Sequence, residues 1–448
     1  MAIKAGAILH DANGYVIDRI QSGGPGQLNI PQEKIYELGN WKSVATITDI
    51  PDLTFDLESF DVFSEFEAIL LGYGGAAVPG EAATGSQLGG LAGSNEIDFQ
   101  NHIPIDVVSP FKSRRNHFDI VKGLAVPYLT LERATYRFGL RQNAAQQFTL
   151  RGDSIYYVPG QPYYEEFDYL PASGPTPATG TESNPFVLDK APILYAESGD
   201  DVYALCVVVI NVATGAYKRL FWEDTALNPT SGYSDNSIGE VWINEDLTDT
   251  YDVCRIVYAS AETGSYDPGN DYQGLNPSGN RIHERVTTKP AAVRPRDIDV
   301  YIGTAGASTT YTRMSSVQSV DVTWAANLQM DEEFGSKHYV MMDYEVPDVT
   351  GTIGVKPFDP ADLWHKLAQI TGVDEDQVIG PDFTTPVPLK IVINHPDTGD
   401  IVKTIFVPDA RFNVPGLAGR IQTKLETSFA FTSDQGLMYV YNGEMDPI

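Results

Sequence analysis

The chain carries one sequence plan twice, and this limits its architecture more than any other feature. Asp119-Ile120-Val121-Lys122 through Val126-Pro127 matches Asp400-Ile401-Val402-Lys403 through Val407-Pro408, an offset of 281. The same offset carries Phe148 onto Phe429 and Asp153 onto Asp434. Upstream the offset is 296: Glu37-Leu38-Gly39 matches Glu333-Phe334-Gly335, Val44 matches Val340, and Ile50-Pro51-Asp52 matches Val346-Pro347-Asp348. Ile20-Gln21-Ser22 answers Val317-Gln318-Ser319, one register off. The matches run in one order, and the change of offset falls in the Gly/Ala-rich stretch Gly72 to Gly93, so they mark a duplication. The small residues and missing period of that stretch predict a loop.

Each copy follows the same plan. A strand is predicted at Gln21 to Ile30 and at Ser316 to Ala326, where Val317, Ser319 and Asp321 alternate with Gln318, Val320 and Val322. Further strands are expected at Val44 to Asp49 and Val340 to Glu345, ahead of a Pro-Asp turn. A short helix follows in each copy. In one, Ser64 and Glu67 have capping-box spacing; in the other, Asp359 is the N-cap with Pro360 at the first helical position. Phe66, Ile69 and Leu70, like Leu363, Trp364 and Leu367, share one face that packs on a sheet. Strands predicted at Pro104 to Val108, Ile120 to Val126, Ala134 to Leu140 and Gln147 to Val158 close the first copy. Val387 to Asn394, Ile401 to Val407, Arg420 to Ser428 and Phe429 to Tyr441 close the second. The fold class is mainly β: two tandem antiparallel sandwich or barrel domains, each with a short flanking helix, over 1–160 and 291–448.

Between the copies, residues 161–290 form a linker and a separable β-rich insertion. The Pro/Thr/Gly run Ala172 to Thr181 opens it and the loop-like Tyr266 to Gly279 closes it. Strand-like runs lie at Ala191 to Ala196, Val202 to Val212, Tyr217 to Trp222, Glu240 to Ile243 and Asp252 to Ser260. Cys206 and Cys254 stand in two of these. They would bond if they faced each other in an oxidising compartment; buried free thiols are the expected state.

Charge narrows the function. The net charge is −30, which opposes binding to nucleic acid and to anionic membranes. The longest apolar run, Ala204 to Ala213, is too short to span a bilayer, and the first ten residues lack a secretory apolar stretch. By segment the charge is −6 for 1–160, −13 for 161–290 and −11 for 291–448. Lysine numbers only 14, so adaptation to high salt in a halophilic host is a second expected cause of the acidity.

No catalytic, cofactor or metal residue is assigned. His10, His102, His117, His283, His338, His365 and His395 include no i, i+4 pair. Gly72-x-Gly74-x-x-Ala77 follows a helix and so is no dinucleotide loop, and neither G-x-S-x-G nor a P-loop occurs. Asp267, Asn270 and Asp271, and Asp374, Glu375 and Asp376, lack EF-hand spacing and are read as solvated acidic loops. The pairs Tyr156-Tyr157 and Tyr163-Tyr164 are read as strand and interface residues.

The order of strand, loop, strands, Pro-Asp turn, helix and closing strands, clearest in Ser316 to Thr371 and in the closing hairpin Ile421 to Asn442, resembles the tail-tube (major tail) protein of long-tailed phages and other tailed viruses. The resemblance covers 1–160 and 290–448 and implies two tail-tube-like domains, with the insertion as an outward decoration, immunoglobulin-like in some members. It implies a non-enzymatic virion protein, assembled in the host cytoplasm. Six domains, here three chains, would ring a lumen, and rings would stack head to tail into a tube that passes genomic DNA without binding it. The loops Gly23 to Lys42 and Asn327 to His338 would reach the neighbouring ring, and the helices Phe63–Leu71 and Pro360–Ile370 would lie outside. Implied partners are further copies of the chain and terminator, distal-tail and tape-measure proteins, with no membrane. Alternatives sharing the fold are a terminator, a distal-tail protein or the inner tube of a contractile injection system. A secreted carbohydrate-binding β-sandwich is the alternative from a different class.

Overall fold

The computed structural model describes residues 10–11, 20–38, 41–60, 66–67, 96–98, 104–112, 120–140, 144–158, 161–169, 171, 180–181, 183–189, 206–211, 216–220, 232–235, 240–243, 247–248, 250–260, 293–303, 311–332, 338–339, 341–356, 386–413 and 427–444. The protein is mainly β, as the alternating sequence requires. The first copy supplies β1 (His10–Asp11), β2 (Ile20–Pro25), β3 (Gln32–Tyr36), β4 (Ser43–Thr48), β5 (Leu53–Ser59), β6 (Glu96–Asp98), β7 (Ile105–Lys112), β8 (Ile120–Gly139), β9 (Ala145–Gly152) and β10 (Tyr156–Val158). The insertion supplies β11 (Gln161–Asp168), β12 (Phe186–Val187), β13 (Cys206–Ile210), β14 (Tyr217–Leu220), β15 (Gly232–Asp235), β16 (Glu240–Ile243) and β17 (Val253–Ser260). The second copy supplies β18 (Ile298–Gly303), β19 (Tyr311–Arg313), β20 (Val317–Ala325), β21 (Leu328–Asp331), β22 (Met341–Tyr344), β23 (Asp348–Val355), β24 (Val387–Asn394), β25 (Ile401–Phe412), β26 (Thr427–Ser433) and β27 (Tyr439–Asn442).

The sequence repeat is also a repeat of strand pairing. In the first copy the neighbours run β1-β7-β8-β9-β5-β2, with β10 also on β8. In the second they run β18-β24-β25-β26-β23-β20, with β27 also on β25, and β19 extends β18. Irregularities recur at equivalent places. The Ile-Gln-Ser and Val-Gln-Ser motifs each carry a bulge, between Ile20 and Ser22 and between Val317 and Ser319. A second matched pair lies where β7 meets β8, between Phe111 and Lys112, and where β24 meets β25, between Ile393 and Asn394. Bulges set local twist and the aim of neighbouring side chains, so the two copies share fine geometry as well as order.

Alternation builds the core. In β9 the side chains of Gln146, Phe148 and Leu150 are buried while Gln147, Thr149 and Arg151 are half-exposed; β5 buries Leu53, Phe55 and Leu57. One apolar cluster joins these to Val320, Val322, Trp324, Phe429 and Phe431 of the second copy, so the copies share a core. Each such side chain contributes about 1.5–3 kcal/mol on burial.

Three expectations change. Ile120 to Val126 and Ala134 to Leu140 are one strand, β8. Pro127-Tyr128 bends it instead of ending it, with Tyr128 at φ 58°. The segments Gly23 to Lys42 and Asn327 to His338, expected as loops, contain strands: β3 pairs with β4 and β21 with β22. The insertion does not stand clear of the copies. Its sheet β11-β17-β13-β14 carries Cys206, Val208, Ile210, Val257 and Ala259 on one face, packed on Ala125 and Tyr128 of β8. Its other face carries Cys254, Ile256 and Tyr258 against Phe186 and Val241 from the sheet β12-β16-β15. The two cysteines therefore sit on opposite faces, and both are buried thiols that form no disulfide. Of the predicted helices, Phe66 and Glu67 are helical; the rest of Phe63–Leu71 and all of Pro360–Ile370 lie outside the described residues, as does Ala191 to Ala196.

Candidate assembly interface

The two copies meet strand to strand. β20, the first core strand of the second copy, pairs antiparallel with the last part of β8, Ser319 opposite Gly139 through Ala325 opposite Arg133. Two more backbone hydrogen bonds frame the seam: Leu140 N–H donates to Gln318 O at 2.9 Å and Ala326 N–H to Glu132 O at 2.8 Å. A second seam runs the other way, with β6 of the first copy pairing with β27 of the second. The junction thus has one donor strand and one acceptor strand from each copy.

The counterparts of those strands at the far end of the first copy have no second neighbour among the described residues. β2, equivalent to β20, pairs with β5 alone and ends the sheet. β10, equivalent to β27, pairs with β8 alone, and Tyr157 on it is exposed. A strand with one neighbour can take up a strand of another chain along its other edge.

Between the copies lies a buried polar cluster. Lys403 of β25 is fully buried among first-copy groups: its Nζ contacts Glu67 Oε1, donates to Gln146 Oε1 at 3.1 Å and stands 4.6 Å from the Tyr136 ring centroid. Tyr136 Oη donates to Glu67 Oε1 at 2.7 Å. Burial and the adjacent Glu67 carboxylate push the Tyr136 phenol well above its ordinary range, so it stays a donor. A second cluster pins the insertion. Asp153 accepts from Arg219 Nη1 at 3.0 and 2.9 Å and from Tyr339 N at 2.9 Å, and His338 Nδ1 lies 3.4 Å away. Burial alone would raise the Asp153 carboxyl; Arg219, His338 and Ser154 hold it well below the carboxylate range.

The face of the joined sheet opposite the core is rich in hydroxyls. Across β5, β9, β8, β20 and β23 it carries Thr54, Thr149, Thr135, Thr323, Thr350 and Thr352. Thr135 and Thr323 oxygens meet at 3.2 Å across the copy seam, and Thr149 donates to Asp56 at 2.8 Å. Its charged residues carry a small acidic excess: Asp56, Glu58, Glu132, Asp321 and Asp348 stand with Arg133, Arg137 and Arg151. The chain's acidity is therefore not concentrated there.

The hairpin β3–β4 is exposed along both strands, with Ile35, Tyr36, Val44 and Ile47 on it and Leu38 and Trp41 at its turn. Trp41 is 99% exposed. Contiguous exposed apolar surface of this kind marks a contact surface.

Residues singled out for other chemistry do not converge. Among the described residues no group of three His, Cys, Asp or Glu could hold a metal ion, and no helix is long and apolar enough to cross a membrane. His395 Nδ1 accepts from Asp397 N and Thr398 N, both at 3.2 Å, which is a turn cap. Gly72, Gly74, Ala77, His102, His117, His283, His365 and both acidic triplets lie outside the described residues. Tyr163 and Tyr164 lie in β11, paired with Tyr258 and Val257.

No protein-family model and no curated protein matches the chain. Solved structures that align with part of it include a chain of the anti-feeding prophage baseplate (9% identity, 36% of this chain and 100% of that one, TM-score 0.27). Others are the SPP1 tail tube (12% identity, 34% and 81%, TM-score 0.26) and a chain of the virion of the native gene transfer agent particle (14%, 32% and 94%, TM-score 0.22). Overlaps this slight do not define the fold or role of the chain.

Proposed function

We propose that this is a structural tail-tube protein whose chains join head to tail into three-membered, pseudo-hexameric rings, which stack into a conduit for genomic DNA. The observation that carries the reading is the copy-to-copy seam. Within one chain, β20 adds to β8 and β6 adds to β27. The same step repeated from the second copy of one chain to the first copy of the next would use β2 and β10, each with one neighbour among the described residues. A heterologous contact repeated in this way either closes into a ring or runs open as a helix, and a closed ring of strands removes every edge. The hydroxyl-lined face would form the wall. With a small excess of acids it offers DNA no net attraction, and with no run of basic residues it makes few salt-dependent phosphate contacts. The exposed hairpin β3–β4 would seat on the adjacent ring. The role is physical conduction without catalysis, in a virion tail assembled in the host cytoplasm with terminator, distal-tail and tape-measure partners.

Electron microscopy and native mass spectrometry of the purified chain test this. Rings of three chains, and tubes of stacked rings, are expected. A chain that stays monomeric at every concentration and salt, or rings of another stoichiometry, would overturn it. Many rings per particle would separate a main tube from a terminator or distal-tail part.

A further inference from the structure

We propose that the two copies become joined covalently: Lys403 Nζ displaces ammonia from the Gln146 side chain, with Glu67 as the proton acceptor, and an isopeptide bond is left across the junction. The bond forms within one chain, whether or not chains close into rings.

The three groups that this chemistry needs meet in one buried cluster. Lys403 supplies the amine, Gln146 the carboxamide and Glu67 the carboxylate; the first and last are 0% exposed and Gln146 is 3% exposed. Nζ contacts Glu67 Oε1 and stands 3.1 Å from Gln146 Oε1, the oxygen of the amide to be attacked. Gln146 is held by β9 and Lys403 by β25, both paired strands. Groups fixed in this way react as neighbours, without the entropy cost of an encounter. Rings wall the cluster off from water. The Tyr136 ring centroid lies 4.6 Å from Nζ and 6.2 Å from that of Phe148, and Phe66, next to Glu67 in the chain, packs on Phe148 at 4.5 Å.

In such a place an ammonium and a carboxylate are costly as charges, and one proton moved between them leaves two neutral groups. That transfer frees the Nζ electron pair. Tyr136 Oη, donating at 2.7 Å, and Nζ both address Glu67 Oε1, while Glu67 Oε2 is buried with no hydrogen-bond partner among the described residues. A carboxylate oxygen buried in this way calls for an explanation, and a site for the proton in transit is one. Atoms and charge balance. Nζ begins as an ammonium with three hydrogens and ends as an amide nitrogen with one. Glu67 takes one hydrogen as a proton. Nζ attacks Cδ of Gln146, the Cδ–Nε2 bond breaks, and Nε2 keeps that electron pair, takes the other proton and leaves as neutral ammonia. A neutral amide and a protonated Glu67 replace two buried charges, and their removal with the escape of ammonia drives the exchange. The site reacts once, and the bond ties together residues 257 positions apart, a constraint on the unfolded chain like that of a disulfide.

Mass spectrometry of the full chain, fresh and after prolonged incubation, tests this. The intact chain is expected to weigh less than its sequence by one ammonia, and a protease digest to yield one branched peptide joining Gln146 to Lys403. Lys403→Met, Gln146→Leu and Glu67→Gln are each expected to restore the full mass. The wild-type spectra decide by themselves, however the variants fold. Full mass with separate peptides would overturn the proposal. So would loss of a water, which marks a bond to Glu67 instead, or loss of ammonia without a branched peptide, which marks a cyclised asparagine. A Glu67→Gln chain that still forms the branched peptide would overturn the role given to Glu67.

Discussion

At the scale of single residues, the duplication survives because changes in one strand are offset in the next. Phe55 lies opposite Leu150 in the first copy; the equivalent pair in the second is Gly351 opposite Phe431. Bulk has moved across the strand pair. A Cβ on Gly351 would lie 2.4 Å from the Asp321 backbone oxygen and 2.3 Å from the Phe431 ring. Gly351→Ala is therefore expected to cost on the order of 1–3 kcal/mol by overpacking, read as a lowered denaturant midpoint. The Asp153–Arg219 pair gives a pH prediction. A carboxyl held low in the folded state contributes stability above its unfolded pKa of about 3.9 and loses it as the pH falls from there towards the folded value. Wild-type stability should thus fall below about pH 4, in part through Asp153. Asp153→Asn is expected to lose about 3–5 kcal/mol at neutral pH, because Arg219 stays buried without its counter-charge, and to flatten the acid limb. Calorimetry across pH measures both.

At the scale of elements, the insertion and the hairpins differ from what pattern alone suggests. Alternating apolar runs marked the insertion as β-rich, and Glu240 to Ile243 has the bounds expected of it. One face of its four-stranded sheet is nevertheless a cover for β8, over Ala125 and Tyr128. Excising 161–290 would uncover that face and leave Asp153 without Arg219. We expect the truncated chain to aggregate, and soluble, cooperatively unfolding protein would count against this. The hairpin β3–β4 behaves oppositely, since its apolar side chains cover nothing described within the chain. Trp41→Ala is expected to shift chain stability by less than about 0.5 kcal/mol. It is expected to weaken ring stacking by about 2 kcal/mol, seen as short tubes or single rings by microscopy. Tyr163 and Tyr164, read as strand and interface residues, lie in β11, which pairs with β17 from Gln161 to Asp168 despite Pro162.

At the scale of the whole molecule, the net charge of −30 sets the conditions for assembly. Chains of like charge repel when packed in a ring, and salt shortens that repulsion to about 8 Å at physiological ionic strength and about 3 Å at 1 M. Rings and tubes are expected to persist in molar salt and to dissociate at low millimolar salt, followed by light scattering during dialysis. Tubes that survive low salt would remove the case for a halophilic host. Little of the acidity sits on the hydroxyl-rich face, where acids exceed arginines only slightly. Most of it therefore bears on solubility and salt response.

Sequence alone determined the duplication, the mainly β class, the insertion between the copies and the absence of recognisable catalytic motifs. These are local or self-similar properties, visible as period-2 alternation and constant offsets. The strand bounds of Val387 to Asn394 followed from its own apolar pattern for the same reason. Tertiary structure decided what joins the copies. Nothing near Val317 to Ala325 specifies that its partner is the end of β8, and nothing near Lys403 specifies that Glu67 and Gln146 receive it. Those contacts link residues 257 and 336 positions apart. They exist because an unpaired edge and an uncompensated buried charge each cost more than the docking of one copy on the other. That cost appears only when both surfaces are in place.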